Sequence, residues 1–250
     1  MVSPGTRIQL CGRLVARIEG RPVEDLLPGR QGRLLFAYLV LNRTRAVRRD
    51  ELAEAVWPAG PPAAPEVALR ALLSKLRGAL GDATVEGREA VRICLPPGAT
   101  VDVEVAIAAL HRAESAIARG DWTSAWGPAQ VALFTAGREL LAGEDVPWID
   151  EQRRSLADLH LRALEAYGIA CLQIRGTELP TAERSGRALA RLAPFRESGH
   201  RLLIESLEQR GNLAEALRAY DSLRELLRAE LGISPSPAMR QLHARLLESA

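Results

Sequence analysis

The apolar positions of this chain change period near residue 30, and the change predicts two kinds of element. Residues 7–18 read in steps of two, with Ile8 and Leu10, then Leu14, Ala16 and Ile18, separated by polar neighbours. That is the period of short strands, with turns at Gly12 and at Gly20–Arg21–Pro22, and it predicts a small antiparallel sheet ended by Pro28 and Gly29. Helical spacing follows. Residues 30–41 bury Leu34, Leu35, Tyr38, Leu39 and Leu41, and residues 50–57 turn Leu52, Val56 and Trp57 inward, with Asp50 and Glu51 in the first turn. Four prolines in PAGPPAAP, residues 58–65, exclude a helix there. In the next stretch Leu69, Leu72, Leu73, Leu76 and Leu80 fall at i, i+3, i+4, i+7 and i+11, one full face of a helix over Glu66–Leu80. Thr84–Glu86 and Ala90–Cys94 then pair as a hairpin across Gly87–Arg88–Glu89.

From Val101 onward the pattern is helix after helix. Helices are predicted over Val101–Ala118, with Asp102 as cap, then Trp122–Leu133, then Trp148 to about Arg175. Shorter ones follow at about 179–193, 196–210, 212–231 and 236–248, and residues 134–147 read as irregular. ARGDWTSAWGPAQVAL and QRGNLAEALRAYDSLREL share glycine, a polar residue, a large apolar residue and then alanine three residues later. This is the turn and second helix of a tetratricopeptide-like hairpin, with Ala125 and Ala216 allowing close packing. The fold class expected is mainly α with a small β part: antiparallel sheet, three helices and a wing hairpin, then an all-α helical array.

The chemistry sits on the central helix. Its outer face carries Val67, Ala71, Ser74, Lys75 and Gly78, with Arg70 and Arg77 at the shoulders. Small side chains let such a helix enter a major groove while the cations meet phosphates or base edges. Arg70, Ala71, Ser74, Lys75 and Arg77 are the recognition candidates, Arg70 and Lys75 for bases and Arg77 for phosphate. Arg43, Arg45, Arg48 and Arg49 crowd the turn before the second helix, where Arg48 and Arg49 are placed to hold the DNA backbone. Arg88 at the hairpin tip and Arg92 on its second strand are the wing contacts.

Charge changes the picture modestly. The first 100 residues hold 15 Lys and Arg against 10 Asp and Glu, and the remainder hold 18 against 21. A polyanion partner therefore suits the first part. No run of 18 apolar residues and no apolar leader appear, so a cytoplasmic, nucleoid-associated protein is expected. Cys11, Cys94 and Cys171 lack metal-ligand spacing and read as reduced core residues. His111, His160, His200 and His243 lie apart on helices, and no phosphate loop, nucleophile elbow or metal signature is present. Neither an enzyme nor a cofactor is expected.

RLLFAYLVLNRTRAVRRDELAEAVW, LRALLSKLRGAL and VRICLPPG resemble the OmpR-type winged helix. The first two resemble its form in the Streptomyces antibiotic regulatory protein (SARP) family. VPWIDEQRRSL and LRAELGISPSPAMRQLHARLL are similar to the bacterial transcriptional activator domain that follows it there. Two departures are a glycine at position 78, where that family usually carries a cation, and Ala99 in place of an aromatic after PPG. The resemblance implies a DNA-binding domain over 1–98 and an activator domain over 99–250, in the small stand-alone form. It implies a transcription activator that binds direct repeats of double-stranded DNA near a promoter, side by side as a homodimer. It also implies contact with RNA polymerase, for which Pro58, Pro61 and Pro62 are candidates, and control of secondary-metabolite genes. The alternative is a protein-interaction or sensor module with a peptide or ligand site in the helical array and no direct DNA role.

Overall fold

The computed structural model describes residues 5–81 and 84–248. The chain start, from which the absence of a leader is read, lies partly outside the described residues, as do residues 82–83. Among the described residues there are seven strands and ten α-helices, in two compact units: Met1–Val105 with Arg138–Ser155, and Ala106–Gly137 with Leu156–Ala250.

The first unit runs β1 (Arg7–Gln9), β2 (Val15–Ile18), β3 (Arg21–Pro22), α1 (Gly29–Leu41), β4 (Val47–Arg48), α2 (Arg49–Val56), α3 (Pro65–Leu80), β5 (Val85–Glu86), β6 (Ala90–Ile93) and β7 (Thr100–Val101). One sheet has the order β3-β2-β1-β7, and the other β4-β6-β5. Three of these strands escape the period-two reading because two residues show no period. Arg21–Pro22, expected as a turn, pairs with β2 at the sheet edge, where proline's missing N–H costs no ladder bond. β7 pairs parallel to β1 and closes the otherwise antiparallel sheet. The core is built as the leucine spacing requires. Leu69, Leu73 and Leu76 of α3 are fully buried with Leu34, Leu35, Phe36 and Leu39 of α1 and Leu52 of α2. Leu72 is half-buried, at the margin of that face.

Asp102, expected as a cap, is the first residue of its helix. Its carboxylate accepts from the backbone N–H of Val103, and also from Leu10 and Cys11 at 2.9 Å each, so it ends β1 as well as starting the helix after β7. The Cys11 thiol is pushed up to about 12, by burial first and by the Asp102 charge second, which leaves it inert near neutral pH.

Residues 138–155 belong to the first unit, although in sequence they lie within the helical half. The Gly12 N–H donates to Glu139 O and the Leu141 N–H donates to Leu10 O, so this strap extends the sheet beyond β1. Arg153 donates to the carbonyls of Leu140, Leu141 and Glu144 and holds the strap in shape. Trp148 stacks edge-on against Tyr38, centroids 5.1 Å apart, and its indole N–H reaches Ala55 O at 3.0 Å. Apart from the chain cut expected at 98/99, therefore, spatial contacts return a later segment to the N-terminal unit.

The second unit consists of helices. α4 (Asp102–Ala118) contributes from residue 106 and α6 (Pro147–Ile174) from residue 156. With them stand α5 (Trp122–Ala136), α7 (Leu179–Leu192), α8 (Glu197–Gln209), α9 (Leu213–Leu231) and α10 (Pro237–Glu248). The imperfect sequence repeat is a geometric one. Gly120 and Asp121 donate backwards to Ile117 O and Ala116 O, and Gly211 and Asn212 do the same to Glu208 O and Leu207 O, each at 2.9 Å. Ala125 and Ala216 follow, both fully buried. Asp121 caps α5 by accepting from Ser124 N. Leu207, Tyr220, Leu223, Met239 and Leu246 join α8, α9 and α10 in one apolar cluster.

Glu183 of α7 gives this unit an acid-sensitive tie. Burial alone would raise its pKa, but ion pairs to Arg187 and Arg210 hold it below the usual carboxylate value of 4.5. A depressed carboxylate stabilises the fold fully above the unfolded pKa and loses that contribution as pH falls through the folded one. Unfolding titrations between pH 6 and 3 should therefore show a steeper loss of stability for the wild type than for Glu183→Gln; parallel curves would discount the tie.

Candidate nucleic-acid interface

α3 starts at Pro65, whose fixed φ and missing N–H suit the first helical position. It ends at Gly81, where Arg77 O accepts from the Gly81 N–H at 2.6 Å. Arg21 donates to Ala79 O at 2.9 Å and so ties β3 to the same end. With its leucine face in the core, the expected outer face is exposed: Val67, Arg70, Ala71, Ser74, Lys75 and Gly78 all reach solvent. A Cβ at Gly78 would meet nothing within 4 Å. Gly78→Ala should therefore stabilise the first unit by about 0.5–1 kcal/mol through helix propensity. A thermal melt would show it, and a lowered Tm would mean the outer face is packed.

The arginines before α2 are not a pooled positive patch. Arg43 makes a bidentate pair with Glu104 at 2.6 Å, and Arg45 pairs with Glu51, which also accepts from the Tyr38 hydroxyl at 2.6 Å. The Arg45 bond, ahead of burial and the Tyr38 bond, holds Glu51 below the usual carboxylate range. Burial, then Glu51, pushes the Tyr38 hydroxyl up to about 12. Arg48 pairs with Asp50 at 2.6 Å and is 77% exposed, so it remains open to exchange its carboxylate for a phosphate.

Arg49 and Arg77, read as backbone and phosphate contacts, point elsewhere. Arg77 donates from Nε to Val85 O at 3.2 Å and from Nη2 to Gly87 O at 2.7 Å. Arg49 donates from Nη1 to Arg88 O at 3.0 Å and from Nε to Glu66 at 3.2 Å. Its side chain is only 21% exposed, and its Nη2 is buried without a partner. Sequence spacing could not distinguish these roles, because an arginine that grips a carbonyl and one that grips a phosphate look alike.

The hairpin forms as expected, with Val85 opposite Ile93 and Glu86 opposite Arg92. Cys94 N–H closes it on Thr84 O at 2.7 Å. β6 is also paired with β4 through Val47–Val91 and Arg48–Ala90, which roots the wing beside α2. Arg92 lies 3.5 Å from Glu86 and stays half exposed. Among the described residues the side chains of Arg70, Lys75 and Arg88 make no hydrogen bond or ion pair, and all three are exposed. Pro58 and Pro61 are exposed and Pro62 is half-buried. Beside them a groove of about 440 Å³ runs between α2 and α3, lined by Trp57, Pro61 and Val67 with Asp50, Glu54 and Glu66 at its rim. Its signal was an apolar Val67 on an otherwise small and polar helix face. Among the described residues no group of His, Cys, Asp or Glu could hold a metal ion, and no helix is long and apolar enough to cross a membrane.

The family model described as the bacterial transcriptional activator domain matches residues 101–247, more than half of the chain. The chain belongs to this family. Among its relatives, the regulatory protein AfsR of Streptomyces coelicolor is 33% identical over 222 residues, covering 88% of this chain and 22% of AfsR. The transcriptional regulatory protein EmbR of Mycobacterium tuberculosis is 30% identical over 254 residues, covering 95% of this chain and 62% of EmbR. The transcriptional regulator RedD of Streptomyces coelicolor is 27% identical over 223 residues, covering 86% of this chain and 63% of RedD. The chain thus spans only part of these relatives. A solved structure of Mycobacterium tuberculosis EmbR, in complex with a low affinity phosphopeptide, superposes with a TM-score of 0.83 at 26% identity, covering 98% of this chain and 65% of that one. The SARP relationship and the mainly helical fold class hold. In this member of the activator-domain family, the matched range includes the strap that carries Trp148, so the family region itself supplies part of the first unit.

Proposed function

We propose that the protein is a sequence-specific DNA-binding transcription activator. The observation that carries the reading is the surface of α3 and the wing. Among the described residues, three exposed cations whose side chains make no hydrogen bond or ion pair, Arg70, Lys75 and Arg88, stand on α3 and the wing, and between the two on α3 lie the exposed Ala71 and Ser74, small enough for close approach. α3 lies in the major groove, with Arg70 and Lys75 at base edges and Ala71 and Ser74 against the groove floor. Arg88 enters the adjacent minor groove or binds its phosphates, and Arg48 and Arg92 add peripheral phosphate contacts. Arg49 and Arg77 serve this surface through the wing rather than through phosphate.

The operator is a direct repeat near a promoter, occupied by two protomers side by side. The loop with Pro58, Pro61 and Pro62, together with the apolar groove beside it, is the surface offered to RNA polymerase. The regulated genes belong to secondary metabolism, as the resemblance to the Streptomyces antibiotic regulatory protein family implies, and the protein works in the cytoplasm at the nucleoid. The chain performs no catalysis in this account and needs no cofactor.

Lys75→Ala tests the reading residue by residue. The substitution is expected to weaken operator binding by about 1–3 kcal/mol and to relax preference at one base position. Uniform weakening on all sequences would reassign Lys75 to phosphate, and unchanged affinity would remove it from the interface.

A further inference from the structure

We infer that Arg49 and Arg77 are positioning residues that fix the wing tip against α3 and thereby set which base pairs the wing reads. This rests on the DNA-binding reading above. The pairing of β5, β6 and β4 ends at Glu86 on one side and Ala90 on the other. Residues 87–89, which carry Arg88, lie outside any strand pairing. Two of their carbonyls are what the arginines hold: Arg77 takes Gly87 O together with Val85 O of β5, and Arg49 takes Arg88 O. Arg77 stands on α3 itself, and Arg49 is joined to the start of α3 through Glu66. The tip is thus tied twice to the helix whose outer face presents Arg70 and Lys75.

The choice of arginine is what makes the tie. Carbonyl oxygens require directed N–H donors, and a guanidinium offers five in a rigid planar fork. One guanidinium spans two acceptors on different elements. An ammonium is a compact charge on a flexible stem and does not reproduce that fixed fork. Lysine at either position would keep the charge and lose the tie. A phosphate contact would tolerate that exchange far better. Arg49 also has little surface left for a phosphate, being mostly buried with an enclosed Nη2.

The experiment selects operators from a random duplex pool with the full chain as wild type, Arg49→Lys, Arg77→Lys and Arg88→Ala, and measures the salt dependence of each on the selected site. Arg88→Ala removes an exposed side chain without partners and marks the base pairs read by the wing. The two lysine variants are expected to lose about tenfold in preference at those same base pairs. Their preference at positions set by α3 should persist, and their salt slope should match the wild type, whereas Arg88→Ala should lower the slope by about 1. Thermal melts identify a variant that fails to fold, in which case the other lysine variant carries the test. Lysine variants with wild-type preference at the wing positions, or with uniform weakening on every sequence, overturn the positioning role. A wild type that selects no sequence removes the DNA-binding reading itself, a result distinct from either.

Discussion

Trp148→Ala should lower the stability of the N-terminal unit by about 2–4 kcal/mol, although the residue lies 93 positions from its hydrogen-bond partner. The indole loses its edge contact with Tyr38, which aromatic pairs of this geometry value beyond their area. Its N–H is also the donor to Ala55 O in the last turn of α2, where carbonyls have no helical partner. Val146 and Ile149 on either side are buried, so a cavity there cannot fill with solvent at no cost. Because Tyr38 also binds Glu51 at the first turn of α2, loss of the indole loosens the helix that leads into α3. Trp148→Phe keeps the ring and removes the N–H, and should cost about 1 kcal/mol. Denaturant unfolding of the full chain, followed by Trp and backbone signals, measures both. An alanine variant within about 0.5 kcal/mol of wild type would show that the strap lies on the unit without supporting it.

Gly87→Ala should be nearly as damaging, at about 2–3 kcal/mol, and its effect should concentrate on the wing. The residue has φ +96°, where an L side chain is strained, and a Cβ built there would sit 1.9 Å from Ala90 O. The obstacle is backbone, so it cannot swing aside as a flexible side chain would. Relief requires opening the turn, which pulls Gly87 O from Arg77 and separates β5 from β6. β6 carries the buried Val91 and Ile93, so the disturbance reaches the core. Hydrogen exchange should show early loss of protection at residues 85–93 while the helices of the second unit are unchanged. Wild-type protection there would contradict the turn geometry.

What sequence could reveal was set by range. α3 was legible to within one residue because five leucines at helical spacing leave one face to bury. The hairpin was legible because Gly87 stands between two short alternating runs. β4 and β7 were not, since their two-residue strands are defined only by partners 44 and 93 positions away in register. Residues 134–147 were read as irregular and Trp148 as a helix start, but the place of this strap was hidden for the same reason: Leu140, Leu141 and Trp148 meet residues near 10, 38 and 55. The arginines' partners were hidden for another reason. Arg43, Arg45 and Arg48 form a basic cluster in sequence, yet each finds its own acid in space, Glu104, Glu51 and Asp50. Arg49 and Arg77 were singled out as DNA-backbone and phosphate contacts, but their donors face carbonyls of the wing. Among the described residues, Arg70, Lys75 and Arg88 are exposed candidates whose side chains make no hydrogen bond or ion pair.

The central claim is sequence-specific DNA binding, and its most direct measurement is binding of the purified full chain to a random duplex pool at two salt concentrations, with sequencing of the retained fraction. The account predicts an enriched direct-repeat motif. It also predicts that raising salt from about 50 to about 200 mM weakens binding roughly fortyfold per protomer, if the phosphate contacts Arg48, Arg88 and Arg92 each release about 0.9 counterion. No enriched sequence at either salt, with retention that does not depend on salt, would contradict it and leave the winged helix as a protein-contact module.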